Sequence, residues 1–223
     1  MVGADANRLI AALVFSFSFS SPAWAELTIG TGQLPSIKQT KISATIQSAY
    51  RKLGFSTKLV NYPWRRSLVM ANEGQIDAEL ARIPGLSKRY PNLIMVPVPL
   101  EKVDVVLASI NLPTISDWAE LKKYRVGHIG GIIFLNQRLK DHPAQIQAND
   151  HESLLKMLGR NRIDYIIDNS LTLTKAIKDF GGAGISIQEQ PLASIILYHY
   201  VHKKHENLVP KLSEIFRQQT PLD

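Results

Sequence analysis

Short apolar runs alternate with amphipathic stretches along most of the chain. After residue 25, LTIG reads as a strand, and Lys41 to Leu53 places Ile42, Ile46, Ala49, Tyr50 and Leu53 on one helical face before Gly54 stops it. FSTKLV reads as the next strand and Ser67 to Asn72 as a short helix. IDAELA follows a Gly74 turn as a strand, and NLIMVPV is another. This βαβαβ order calls for a parallel sheet with helices on both faces.

A second unit of the same kind starts near Val103 with VDVVLASI, followed by a helix with Ser116 as N-cap and the strand RVGHI. Helices are expected after Gly131 and from Asp150 to Leu158, and RIDYIID is the clearest buried strand. A helix over Leu171 to Lys178 ends at Gly181-Gly182, and ISIQ is a short strand. SIILYHYV then leads into a final helix carrying Leu208, Leu212, Ile215 and Phe216 on one face. That helix is too isolated to be a domain, so it must pack on something earlier. The simplest arrangement returns it to the first unit, so that the chain crosses twice between two α/β lobes.

The first 25 residues stand apart from this pattern. Arg8 precedes the apolar run LIAALVFSFSFS, and Ala23 and Ala25 supply the small-residue pattern of a signal-peptidase site, so residues 1–25 read as a cleaved export signal. The run is too short to span a bilayer comfortably, and no other stretch is long enough. About 200 residues remain, enough for one large domain or two small lobes. With no cysteine, a disulfide framework, a thiolate metal site and a cysteine nucleophile are all excluded. The net charge of +7 favours anionic ligands or surfaces. Nucleic acid is not an expected partner, because the Lys and Arg are scattered and no basic run is interleaved with aromatics.

Four segments taken in order, ELTIGTGQLP, PWRRSLVMANEGQIDAELARI, LKKYRVGHIGG and LLKMLGRNRIDYIID, resemble the bacterial extracellular solute-binding proteins of the polar amino acid type, family 3, in a divergent branch. The resemblance covers essentially the whole chain after residue 25, and its weight lies in the order and spacing of motifs that are individually weak. It implies an α/β, two-lobed periplasmic binding protein of type II, with parallel-rich sheets, helices on both faces and two hinge crossings. Lobe one would comprise residues 26–103 plus 195–223, and lobe two residues 104–194. A ligand would sit in the cleft between them, at strand ends, and hinge closure would bury it.

The resemblance also points to site residues. Relatives that bind amino acids clamp the α-carboxylate with an arginine after the strand matching IDAELA. Arg89 lies at about that spacing, while Arg82 stands nearer the strand end and is favoured because a strand end is a fixed position. The acidic position that holds the ligand's ammonium falls on Asn169, with Asp168 just before it. If Asn169 faces the cleft no carboxylate pairs the amine, whereas a bulge would turn Asp168 inward, and Asp168 could equally be a helix N-cap. Trp64 and Arg66 fall at the cleft rim, where an indole face beside guanidinium groups suits a planar or anionic ligand. Gly130 and Gly131 would let backbone N–H groups approach a ligand oxygen.

Other constellations carry less. His199, His202 and His205 invite a metal, but His199 and His202 point to opposite faces of a strand, so no metal and no cofactor is expected. The nucleophile-elbow, zincin and P-loop motifs are absent from the sequence. Glu79 is expected to face solvent or the cleft, and it and Asp168 are the candidate acid or base for a lyase or hydrolase on the same scaffold. The expected function is therefore capture of a small polar, anionic ligand, an amino acid or small carboxylate, for ABC-type uptake in the periplasm. The protein would be a monomer serving a membrane permease. The alternative is a sensing module for a membrane signalling partner.

Overall fold

The computed structural model describes residues 25–32, 41–111 and 113–219. The expected export signal, apart from Ala25, lies outside them. Strand β1 (Ala25–Gly30) is flanked in parallel by β2 (Phe55–Val60) and β3 (Ala78–Arg82), with helices α1 (Lys41–Lys52) and α2 (Trp64–Asn72) in the crossovers. Helix α1 buries Ile42, Ile46, Ala49 and Tyr50, and the chain leaves it through Gly54 at φ +82°. Helix α2 starts three residues earlier than the spacing predicts. Pro63 stands at its N-cap and its carbonyl accepts from the Ser67 N–H at 3.0 Å, which winds Trp64 and Arg66 into the first turn.

A short strand β4 (Leu93–Met95) precedes β5 (Glu101–Ser109), which leads into the second half. There α3 (Trp118–Leu121), β6 (Val126–Ile129), α4 (Ile133–Arg138), β7 (Gln145–Ala148), α5 (His151–Gly159), β8 (Tyr165–Asn169), α6 (Ser170–Phe180) and β9 (Ser186–Ile187) follow in order. Strand β6 runs parallel to both β7 and β8. The cap of α3 is Asp117, not Ser116: one Asp117 oxygen accepts from the Ala119 and Glu120 N–H groups, both at 2.8 Å. A carboxylate there satisfies two free helix-end donors at once. Strand β7 was not anticipated, because QIQA carries too few apolar residues to mark a strand.

The long strand β10 (Ala193–His202) joins the halves. Its first part, Ala193 to Leu197, runs antiparallel to β5, and its second part, Tyr198 to His202, runs antiparallel to β3 and β4. The main order is β2-β1-β3-β10-β5-β8-β6-β7, with β4 paired to β10 and β9 to β5 off this path. Pairing is thus parallel within each half and antiparallel where β5 and β10 connect them, because the two connecting strands run in opposite directions. The last helix, α7 (Val209–Gln219), returns to the first half and buries Leu212 and Phe216 in one cluster with Ile46, Ala49 and Tyr50.

Candidate functional site

A cavity of about 550 Å³ lies between the halves, within the range of small-molecule sites. The ends of β3 and β8, the start of α2 and the two connecting strands all contribute to its wall. Trp64, Arg82, Gly131, Asp168 and Asn169 are brought together there. Arg66 and Arg89 are not: both are exposed, 5.7 Å from the Tyr62 ring and 5.9 Å from the Tyr90 ring respectively. Gly130 lies outside the lining, and its N–H already donates to the Ala148 carbonyl at 3.0 Å.

Arg82 is 5% exposed, with its guanidinium carbon 4.6 Å from the Trp64 ring centre. Its Nη2 donates to Glu79, which is fully buried and also accepts from the Ser67 hydroxyl at 2.6 Å. Burial pushes the Glu79 carboxyl above its ordinary range, opposed by the Arg82 charge and the Ser67 hydroxyl. The expectation that Glu79 faces solvent or the cleft is therefore corrected: it lies behind Arg82, outside the cavity lining.

The reason is a break in strand alternation. Residues three apart on a regular strand face opposite ways, yet Tyr198 pairs with Arg82 while Tyr200 pairs with Glu79, so β3 holds one extra residue against β10. That bulge puts Glu79 and Arg82 on one face. Two glycines of β1 and the following turn clear the space. A Cβ on Gly30 would strike the Ser67 hydroxyl and come within 2.9 Å of Glu79, and one on Gly32, at φ +69°, would lie 2.5–2.9 Å from the Trp64 ring.

Across the cavity, β8 pairs with β5 in unbroken register, so no bulge turns Asp168. Asp168 and Asn169 both reach the lining because the strand ends there and α6 begins. Asn169, not Asp168, is the N-cap, accepting from the Thr172 N–H at 2.8 Å. Both Asp168 oxygens are engaged, one with His151 Nε2 at 2.7 Å and the other by the Asn169 N–H at 2.7 Å and its side-chain amide at 3.2 Å. Gly131 sits at φ +87°, a left-handed conformation that favours glycine, and faces Trp64: a Cβ there would be in ordinary contact, 3.4 Å from Trp64 Cβ.

The three C-terminal histidines go to separate partners. His199 is buried: its Nδ1–H donates to the Leu80 carbonyl at 3.1 Å, so Nε2 accepts from the Tyr50 hydroxyl at 2.8 Å. Burial lowers it to about 4 and raises the Tyr50 hydroxyl. His202 accepts from the Lys204 N–H at 3.2 Å, and His205 lies 2.8 Å from Asp77. Among the described residues no group of three or more His, Asp or Glu side chains is placed to hold a metal ion, and no helix is long and apolar enough to cross a membrane.

Ser67, Gly30, Gly32, His151 and the buried role of Glu79 escaped sequence reasoning. The available signal was the pair of glycines around Thr31, directly after a strand.

No protein-family model and no curated protein matches the sequence. Solved structures do. Holo ArgBP from T. maritima aligns over 88% of this chain and 92% of its own at 15% identity, TM-score 0.71. The GluR0 ligand-binding core in complex with L-glutamate aligns over 88% and 92% at 12% identity, TM-score 0.75. A histidine kinase sensor domain with similarity to periplasmic binding proteins aligns over 87% and 90% at 14% identity, TM-score 0.73. This likeness, with the two connecting strands, shows the fold: α/β, two-lobed, of the type II periplasmic binding protein kind.

Proposed function

We propose that this chain is an exported solute-binding protein that captures a small molecule carrying an anionic group, an amino acid or other small carboxylate, by closing two lobes over it. Lobe one is residues 26–103 plus 195–223, and lobe two is residues 104–194. The observation that carries the reading is a buried guanidinium, Arg82, held at a strand end by Glu79 and stacked on Trp64 at the wall of a cavity between the halves. A fixed guanidinium recognises a carboxylate through paired N–H donors, and its placement by Glu79 lowers the ordering cost of binding. Trp64 approaches Gly131 across the cavity, so it serves as the closing contact.

The protein works as a monomer in the periplasm and delivers its ligand to an ABC-type permease. A sensing role with a membrane signalling partner is the second reading, supported by the likeness to a histidine kinase sensor domain. Glu79 is buried behind Arg82, and Asp168 is held by His151 and Asn169, so the solute-binding reading gives both carboxylates a positioning role.

The test is thermal melting of the purified protein against amino acids, small carboxylates, sugars, polyamines and phosphorylated metabolites. A ligand bound only by the folded state raises the melting temperature. Stabilisation by a carboxylate or amino acid that disappears in Arg82→Ala supports the reading. Stabilisation that survives the substitution, or none with any anion, rejects this account of the site.

A further inference from the structure

The cavity is far more apolar than a site for a polar amino acid requires. Ile42, Leu68, Ile83, Val103, Ile195 and Leu197 form much of its wall. The charged groups that reach it already have partners. Arg82 is paired with Glu79, Asp168 is held by His151, and Lys175 is 2.7 Å from Asp179. Glu101, pushed up by burial, feels the charge of Lys41. A ligand with several charges would have to break one of these pairs and leave a charge desolvated in the wall.

One polar atom of the wall is unmatched. The Nε–H of Arg82 is buried and has no acceptor among the described residues. Glu79 engages the guanidinium through Nη2, leaving the Nε edge to a ligand. The carboxylates that reach the wall already have partners: Asp168 accepts from His151 and Asn169, Glu101 feels the charge of Lys41, and the Asn169 oxygen is used on Thr172.

We propose that the cavity takes an amphipathic monocarboxylate: an apolar body against the aliphatic wall, one carboxylate at Arg82, and no α-ammonium group. This rests on the solute-binding reading and narrows it. An added ammonium costs affinity, because its desolvation would be offset only by competing with His151, Asn169 or Lys41 for a carboxylate that each already engages. Trp64 offers its ring to the same ligand body, adding dispersion contact beside the carboxylate.

Calorimetric titration of the purified protein with 4-phenylbutyrate and octanoate, set against L-phenylalanine, L-arginine and L-glutamate, tests the inference. The expected result is that a monocarboxylate binds at least about tenfold more tightly than any of the three amino acids. That binding weakens by about tenfold or more in Arg82→Ala. Leu197→Asp, which leaves Arg82 and Glu79 intact but charges the wall, abolishes it, and folding of each variant is checked by its melting transition. Tighter binding of L-arginine, L-glutamate or L-phenylalanine overturns the monocarboxylate class while leaving solute binding standing. Failure of all five titrants overturns the class, and if the wider melting panel is also silent, solute binding falls with it.

Discussion

Removing the charge of Glu79 should unsettle the whole site. Glu79 is fully buried and Arg82 only 5% exposed, so Glu79→Gln leaves a cation in the interior without its anion. Breaking such a pair from one side costs about 3–5 kcal/mol. The glutamine oxygen can still accept from Ser67, which places the expected cost at the lower end, about 3 kcal/mol. At about 2–4 °C per kcal/mol for a chain of this size, the melting temperature should fall by about 6–12 °C. Calorimetric melting at neutral pH reads this directly. Glu79→Gln with Arg82→Met removes both charges at similar volume and should recover at least half of the loss. A single variant within about 2 °C of the parent refutes the reasoning, because it would mean that Glu79 is protonated and does not compensate Arg82.

Other outcomes follow from the same geometry. Gly32→Ala places a methyl against the Trp64 ring at a left-handed φ and should weaken ligand binding by about tenfold, measured by calorimetric titration. In protein lacking residues 1–25, and so Trp24, Trp64→Phe should remove most of the ligand-induced change in tryptophan fluorescence, leaving Trp118, which lies outside the cavity lining, as a constant background. Burial holds His199 neutral in the fold down to about 4. Its contribution is full above about pH 6.5, the unfolded value, and is lost as pH falls toward the folded value, by about 3 kcal/mol at most. Urea melts of His199→Gln across that window should show a flatter pH dependence than the parent. Asp77 is opposed by burial, but hydrogen bonds from Lys204, His205 and the Thr28 N–H outweigh this and hold its carboxyl below the usual range. Its stabilisation is therefore complete above about pH 3.9 and drains away as pH falls through the lower folded value, and Asp77→Asn should lose about 1–3 kcal/mol at neutral pH in a urea melt.

The fold was legible because its signals are local and repeated. Alternation of short apolar runs with amphipathic helices marks each α/β unit, and Gly54 and Gly181 end helices where the pattern stops. The return of the last helix to the first half followed from its isolated apolar face, now buried as Leu212 and Phe216. Parts of the site were less accessible. Period-two reasoning puts Glu79 and Arg82 on opposite faces of a strand, and only the bulge opposite Tyr198 and Tyr200, a feature of pairing between segments over 100 residues apart, brings them together. His151 next to Asp168 is likewise a tertiary contact, between the first residue of a helix and the end of a later strand. The exposure of Arg66 and Arg89 depends on which side of a helical or irregular segment faces outward, and single charged residues do not encode that.

The central claim is that a small molecule is held between the two halves at the Arg82 wall. Amide hydrogen exchange read by mass spectrometry, with and without the compound that most raises the melting temperature, tests it most directly. The account predicts added protection concentrated in segments 64–72, 78–86, 131–135 and 168–175, which meet at the cavity. Protection confined to other segments, or none at a concentration that shifts the melting temperature, would contradict it.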